Sequence, residues 1–261
     1  MHKNYIEAEV RIINKYYQDI NKCNTLDELF SIWKNKTLFF EKELSVGYDI
    51  KTFIADGIVD KVAWNDKSKK RILFILKEAY GDNWNEYTLA TWLKTHPDCR
   101  IWNRISRWVY GIQNTNKLHV ERYNPQINAN TLPSPLDQIA VINIKKFNGE
   151  SKSDDVNIEK YAENDKEEIK KEFYMIDADI IICGSTYKYL HDIVFEEEIR
   201  EQKIIDKCDN WYYLININGK ERLFLDYYHP ANHWSDLMNY YGVVNIYQQA
   251  LIEKEAKQYE K

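Results

Sequence analysis

Cysteine is scarce in this chain, and what there is carries no metal or redox signature. The four cysteines, Cys23, Cys99, Cys183 and Cys208, form no Cys-x-x-Cys pair, and no histidine stands at zinc spacing from them. No metal and no cofactor are therefore expected. Reduced thiols in a cytoplasmic setting are the natural reading, with Cys183, inside an apolar run, as a small core residue. Long hydrophobic runs are missing too. No segment approaches about 18 consecutive apolar residues, so no membrane-spanning helix is expected. Residues 1–5 lead directly into a charged amphipathic stretch, so no signal peptide is expected either. Glycine (8) and proline (5) are few, and neither a repeat nor a flexible linker precedes residue 65. An excess of positive charge is also lacking. The net charge is -5, whereas a protein that held long duplex DNA by charge alone would be basic. A local basic cleft stays open as a reading. Acidic residues gather at 163–172 and 196–201, and Lys and Arg gather at 66–71 and around Lys145, Lys146 and Lys152.

What is present is a sizeable apolar fraction, 44%, with 20 Tyr and 8 Trp in 261 residues. Aromatics with a polar edge serve cores, interfaces and base-stacking sites alike. Tyr5, Ile6, Ile13, Tyr16, Tyr17 and Ile20 recur at helical spacing, and further helices are expected at 26–35 and 37–44. Residues 1–65 thus read as a helical extension packed on a core domain at 66–261. Within that domain, Ile72–Leu76, Ile139–Ile144 and Ile180–Cys183 are short, continuously apolar runs, the mark of parallel strands buried on both faces. The helical faces Ile101–Ile112 and Ile158–Ile176 alternate with them, which argues for an α/β sandwich with a parallel sheet. Trp211–Ile217 and Leu223–Tyr227 flank Asn218-Gly219 as a hairpin. A last helix carries Leu237, Tyr240, Tyr241, Val244 and Leu251, with Ser235 as its N-cap. The Asn- and Pro-rich stretch 114–134 reads as a long loop of functional interest.

Open α/β sheets bind ligands beyond the carboxyl ends of their strands. The residues that follow each strand are Lys77-Glu78-Ala79-Tyr80-Gly81-Asp82-Asn83-Trp84, then Asn143 with Lys145, Lys146 and Phe147, then Gly184-Ser185-Thr186, and finally Tyr228-His229-Pro230-Ala231-Asn232-His233-Trp234. In order and spacing this set resembles the uracil-DNA glycosylase superfamily. Lys77–Gly81 is similar to its Gly-Glu-Ala-Pro-Gly motif, Ala140–Asn143 to the strand carrying its base-reading Asn, Ile181–Gly184 to its apolar strand ending in Gly, and His229-Pro230-Ala231 to its closing His-Pro-Ser. Lys77, Tyr80 and Ala231 depart from those motifs, and the iron–sulfur cysteines of some branches are absent. The pattern looks like a divergent branch, such as the one that excises hypermodified cytosines, glucosylated hydroxymethylcytosine among them, from phage DNA.

That resemblance implies a three-layer α/β/α sandwich around a central, mainly parallel four-stranded sheet. It also implies a monofunctional DNA glycosylase, monomeric, whose partner is DNA. Glu78 would stabilise an oxocarbenium-like sugar and orient water, with Asp82 as second choice. His229 would donate to the base O2 as charge develops. Asn143 would read the pyrimidine edge, and Tyr80, Trp84 and Phe147 would form the stacking wall. Lys77, Lys145, Ser185, Asn232, His233 and Trp234 would contact DNA, Trp234 as a wedge. Plainer roles stand beside each: a helix N-terminal carboxylate for Glu78, a satisfied buried amide for Asn143, a loop histidine for His229, and ordinary packing for the aromatics. A non-catalytic nucleic-acid or nucleotide sensor, a uracil-repair enzyme, a nucleoside hydrolase and an interaction protein are the rival readings.

Overall fold

The computed structural model describes residues 2–40, 46–80, 88–200, 202 and 211–259. Its centre is one six-stranded mixed sheet. In chain order the strands are β1 (Gly57–Ile58), β2 (Ile72–Glu78), β3 (Ile139–Lys145), β4 (Ile180–Gly184), β5 (Tyr212–Ile217) and β6 (Lys220–Tyr227), and their order across the sheet is β1-β3-β2-β4-β6-β5. The inner strands pair in parallel, β3 with β2, β2 with β4 and β4 with β6. Both edges are antiparallel, β1 on β3 and β5 on β6. The sheet is therefore larger than the four strands expected. The added edge β1 is two residues long, too short for any alternation of apolar and polar residues to announce it. β5 and β6 meet through Asn218 and Gly219, both at positive φ (52° and 76°), as the tight hairpin turn requires.

Helices cover both faces. They are α1 (His2–Lys22), α2 (Leu26–Trp33), α3 (Lys61–Trp64), α4 (Leu89–Thr95), α5 (Arg100–Asn114), α6 (Asp155–Asn164), α7 (Lys166–Ile176), α8 (Tyr187–Tyr189), α9 (Glu196–Arg200) and α10 (Asp236–Tyr259). Thr25 and Glu28 close a reciprocal capping box on α2, and the Ser235 hydroxyl caps α10 by accepting from the Met238 N–H at 3.2 Å. On one face, Leu73, Ile75, Ile142 and Ile181 pack against Tyr16, Trp33, Ile169 and Phe173 from α1, α2 and α7. On the other, Phe74, Val141, Ile182 and Leu225 pack against Ile105, Trp108, Val109 and Val244 from α5 and α10. Strands apolar on both sides need a layer of helix on each. No described helix is long and apolar enough to cross a membrane.

The first 65 residues are bound to the rest through buried charge as well as apolar contact. Lys36 is buried against Asp165 (3.0 Å) and Glu168 (2.7 Å), and Tyr16 and Tyr48 donate their hydroxyls to Glu168 and Asp165 at 2.6 and 2.7 Å. Burial works against the Lys36 charge, yet Asp165 and Glu168 outweigh it and hold the ammonium above its ordinary range. A second buried group joins Lys146 to Asp56 and to Glu172 (2.7 Å). Burial, then the Asp56 charge, pushes the Glu172 carboxyl well above the usual range.

Candidate active site

β2 and β3 run side by side with Leu76 opposite Asn143 and Glu78 opposite Lys145. Alternation along a strand then points Leu76, Glu78, Asn143 and Lys145 to the same face, the one covered by α4 and α5. A cavity of about 380 Å³ opens there at the carboxyl ends of the strands, within the usual size range of small-molecule sites. Glu78, Asn143 and His229 all line it, with Tyr80, Trp92 and Trp102 among its walls. Three side chains more than sixty positions apart in the chain thus converge on one space.

Each is held in a defined state. The Glu78 carboxylate pairs with Lys145 at 2.8 Å, and both side chains are almost fully buried. Gly149 lies directly behind it. A Cβ built there would stand 2.3 Å from Glu78 Cδ, so this glycine is the space the carboxylate occupies. Asn143 receives its orientation from Asp56, whose Oδ2 accepts from the Asn143 backbone N–H (2.7 Å) and from Nδ2 (3.1 Å). Because an ionised carboxylate only accepts, the amide nitrogen must face Asp56, and Oδ1 projects as the free acceptor on a cavity-lining residue. His229 Nδ1 accepts from the Ala231 N–H at 3.1 Å, which leaves the ring proton on Nε2. Burial, then the Lys77 charge, lowers the imidazole to about 4. At neutral pH the ring is an uncharged Nε2–H donor.

The loop that presents His229 is braced by residues with no motif of their own. Ser185, at φ 58°, accepts from the His229 backbone N–H at 3.0 Å. Gly184 lets the loop approach, since a Cβ there would lie 3.3 Å from Pro230 Cδ and 2.8 Å from Leu76 Cδ2. Asn232 and Asn239 bond reciprocally through their amides (2.8 and 3.0 Å). Arg104, 1% exposed, reaches from α5 to the carbonyls of Pro230 (2.7 Å), Asn232 (2.9 Å) and Trp234 (3.0 Å) and to Asp236 through Nε and Nη2 (2.9 and 2.6 Å). Sequence reasoning missed Arg104 and Gly149. The signal for Arg104 was a charge placed on the apolar face of an amphipathic helix, one position before Ile105.

The remaining candidates divide. Tyr80 lines the cavity and is 64% exposed at its mouth. Phe147 does not line it. It lies beyond the end of β3 and is buried among Tyr48, Phe53 and Tyr161. Lys145 is committed to Glu78 rather than turned to a phosphate, and Ser185 and Asn232 spend their hydrogen bonds on the loop. Lys77 pairs with Asp155 at 2.6 Å, and His233 and Trp234 are exposed and do not line the cavity, Trp234 standing in a separate pocket with Tyr227, Tyr228, Met238 and Asn239. Asp82 and Trp84 lie outside the described residues. The 114–134 loop packs beside α5 and α10, for instance through Tyr240 Oη donating to Glu121 O at 3.0 Å, and contributes nothing to this cavity. The site gains instead Glu150, Ser151 and Ser153 from the loop after β3. No known family model matches the chain. No curated protein matches it significantly either. The functional reading therefore stands on this geometry.

Proposed function

We propose that the protein is a DNA glycosylase of the uracil-DNA glycosylase type that hydrolyses the N-glycosidic bond of an extruded, modified pyrimidine and leaves an abasic site. The observation that carries the proposal is the convergence of Glu78, Asn143 and His229 on one aromatic-walled cavity at the strand ends. A base turned out of its stack needs a flat apolar slot with few polar contacts, which Tyr80, Trp92, Trp102 and the Asn143 Oδ1 supply. As the bond to the sugar breaks, negative charge grows on the base. A neutral Nε2–H on His229, already aimed and already desolvated, stabilises that charge without a proton transfer. The carboxylate of Glu78 faces the opposite charge, the oxocarbenium-like sugar, and orients the attacking water. Glu150 is a second carboxylate on the cavity wall, exposed to solvent.

The overall acidity of the chain does not oppose this, since a strand can be held by exposed aromatics. Tyr80 on the cavity wall, and Tyr228 and Trp234 on the 228–234 segment that carries His229, are all exposed. Modified cytosines of phage DNA, excised in antiviral defence, are the substrate class that the departures at Lys77, Tyr80 and Ala231 favour. The test is incubation of the protein with plain DNA, uracil-containing DNA and glucosylated-hydroxymethylcytosine phage DNA, followed by detection of abasic sites. Abasic sites on the modified DNA alone are expected, reduced by about 10²–10⁴ in Glu78→Gln, the usual weight of a general acid–base group. Abasic sites on uracil DNA would make it a repair enzyme. None on any substrate would sink the glycosylase reading and leave the non-catalytic sensor, which the Lys145 clamp on Glu78 favours.

A further inference from the structure

A second pocket, about 360 Å³, is lined by Lys77, Ser185, Lys188, Trp211, Asp226 and Tyr228 among others. It is contiguous with the first site in the chain. Lys77 is the strand neighbour of Glu78, Ser185 holds the His229 backbone, and Tyr228 precedes His229. It is built on the opposite face of the sheet, because Lys77 and Asp226 alternate with Glu78 and Tyr227. Its most unusual member is Asp226. This half-buried carboxylate, at the end of β6, makes no side-chain hydrogen bond and no ion pair among the described residues, although two lysines share the pocket. Both of those are drawn to Asp155 instead, Lys77 at 2.6 Å and Lys188 at 3.8 Å. Trp211 and Tyr228 stand together above it with ring centroids 5.3 Å apart, and both are exposed.

We infer that this pocket takes a guanine base, the strand neighbour of the nucleotide whose base enters the first cavity, with its N1–H and N2–H both donated to the Asp226 carboxylate. This rests on the nucleic-acid reading given above. A carboxylate offers only acceptors. On an unpaired pairing edge guanine alone presents two adjacent donors. Adenine and cytosine set one donor beside a repelling acceptor, and thymine sets one donor between two acceptors. A two-point, charge-assisted contact of this kind gives direction as well as strength. Trp211 and Tyr228 supply the stacking surface that any base accepts, and Lys77 and Lys188 leave one net positive charge over Asp155 for the phosphate. Burial raises the free Asp226 carboxyl to about 6, in keeping with a group that lacks its partner until a ligand arrives.

The full-length protein would be titrated with GMP, AMP, CMP and TMP by calorimetry, and then with short single strands carrying each base on either side of the target. GMP should bind at least ten times more tightly than the others, and strands with G at one flank should be preferred by a similar factor. Asp226→Asn should abolish both preferences while leaving processing of strands without G unchanged, and Asp226→Ala should do the same. Equal binding of all four nucleotides and strands, or a guanine preference that survives in Asp226→Asn, overturns the inference. Preference for GMP without preference among strands overturns the strand-neighbour assignment and makes the ligand a free guanine nucleotide. Preference for guanine with no abasic sites on any DNA retains the pocket and refutes the glycosylase reading alone.

Discussion

Arg104→Met removes the side chain that ties the His229 loop to α5, and its cost can be worked bond by bond. Five hydrogen bonds disappear, but not all acceptors are orphaned. Asn232 O keeps Arg100 at 2.8 Å, Trp234 O keeps the Asn239 amide at 3.2 Å, and Asp236 keeps Arg107 at 2.8 Å. The Pro230 carbonyl loses its only donor among the described residues. An orphaned buried acceptor costs about 1–3 kcal/mol, and a lost charge-assisted bond about 1.5–3 kcal/mol. The sum, about 2.5–6 kcal/mol, brackets the usual cost of about 3–5 kcal/mol for breaking a buried ion pair from one side. With a urea slope of about 3 kcal/mol/M for a chain of this size, the midpoint should fall by about 1 M or more. Turnover should fall further than stability at 25 °C implies, because a donor displaced by about 1 Å can cost about 10²-fold. Arg104→Lys should recover only part, since an ammonium cannot span four acceptors arranged for a planar fork. Urea unfolding and abasic-site formation would be measured on the same preparations. A destabilisation under about 1 kcal/mol with unaltered turnover would refute the assignment of Arg104 as the brace of the loop.

Gly149→Ala should displace Glu78, at the cost of about 1–3 kcal/mol typical of overpacking, and should lower turnover with little change in the affinity for a strand; unchanged kinetics would show that Glu78 is not where the chemistry happens. Lys146→Met strands Asp56 and Glu172 without a cation and should cost about 3–5 kcal/mol, a loss that denaturation would show and that adding Asp56→Asn should partly reverse. The low value of His229, about 4 against an ordinary 6.5, means the unfolded chain binds this proton first as pH falls, so stability should decline between about pH 6.5 and 4; in His229→Gln that part of the decline should vanish from urea midpoints measured across the range. Asp226, raised to about 6 from 3.8, has the opposite sign. Its contribution is lost as pH climbs through 3.8–6, so Asp226→Asn should be more stable than the parent at pH 7–8, by about 1–2 kcal/mol after allowance for partial exposure, and equal to it near pH 3.5.

The parallel strands were legible because Ile72–Leu76, Ile139–Ile144 and Ile180–Cys183 contain no polar residue except Asn143, and a strand that apolar must be covered twice. The same strand-end logic located Glu78, Asn143 and His229 before any geometry was known. It could not locate Gly149 or Arg104. Their roles lie in what they leave empty or reach across to; Gly149 leaves no periodic mark, and the charge that Arg104 sets on the apolar face of α5 does not say what it binds. Phe147 illustrates the converse. Its type suited a stacking wall, but the side of the sheet it occupies depends on how the chain leaves β3, which one residue of slip reverses. Lys145 and Ser185 were expected to contact DNA because their residue types suit it; their actual partners, Glu78 and the His229 backbone, are long-range choices that a linear reading cannot rank.

The Asp56–Lys146–Glu172 group has a bearing on how this protein can diverge. Asp56 both balances Lys146 and turns the amide of Asn143, so on the proposed glycosylase function selection on the base and selection on folding act through one carboxylate. Among relatives, positions 56, 143, 146 and 172 should therefore change as a block. If Asn143 reads the base as proposed, a lineage that changes position 143 must first find another way to neutralise an ammonium sealed from water, and specificity in this architecture should shift by rare, coordinated jumps instead of single steps.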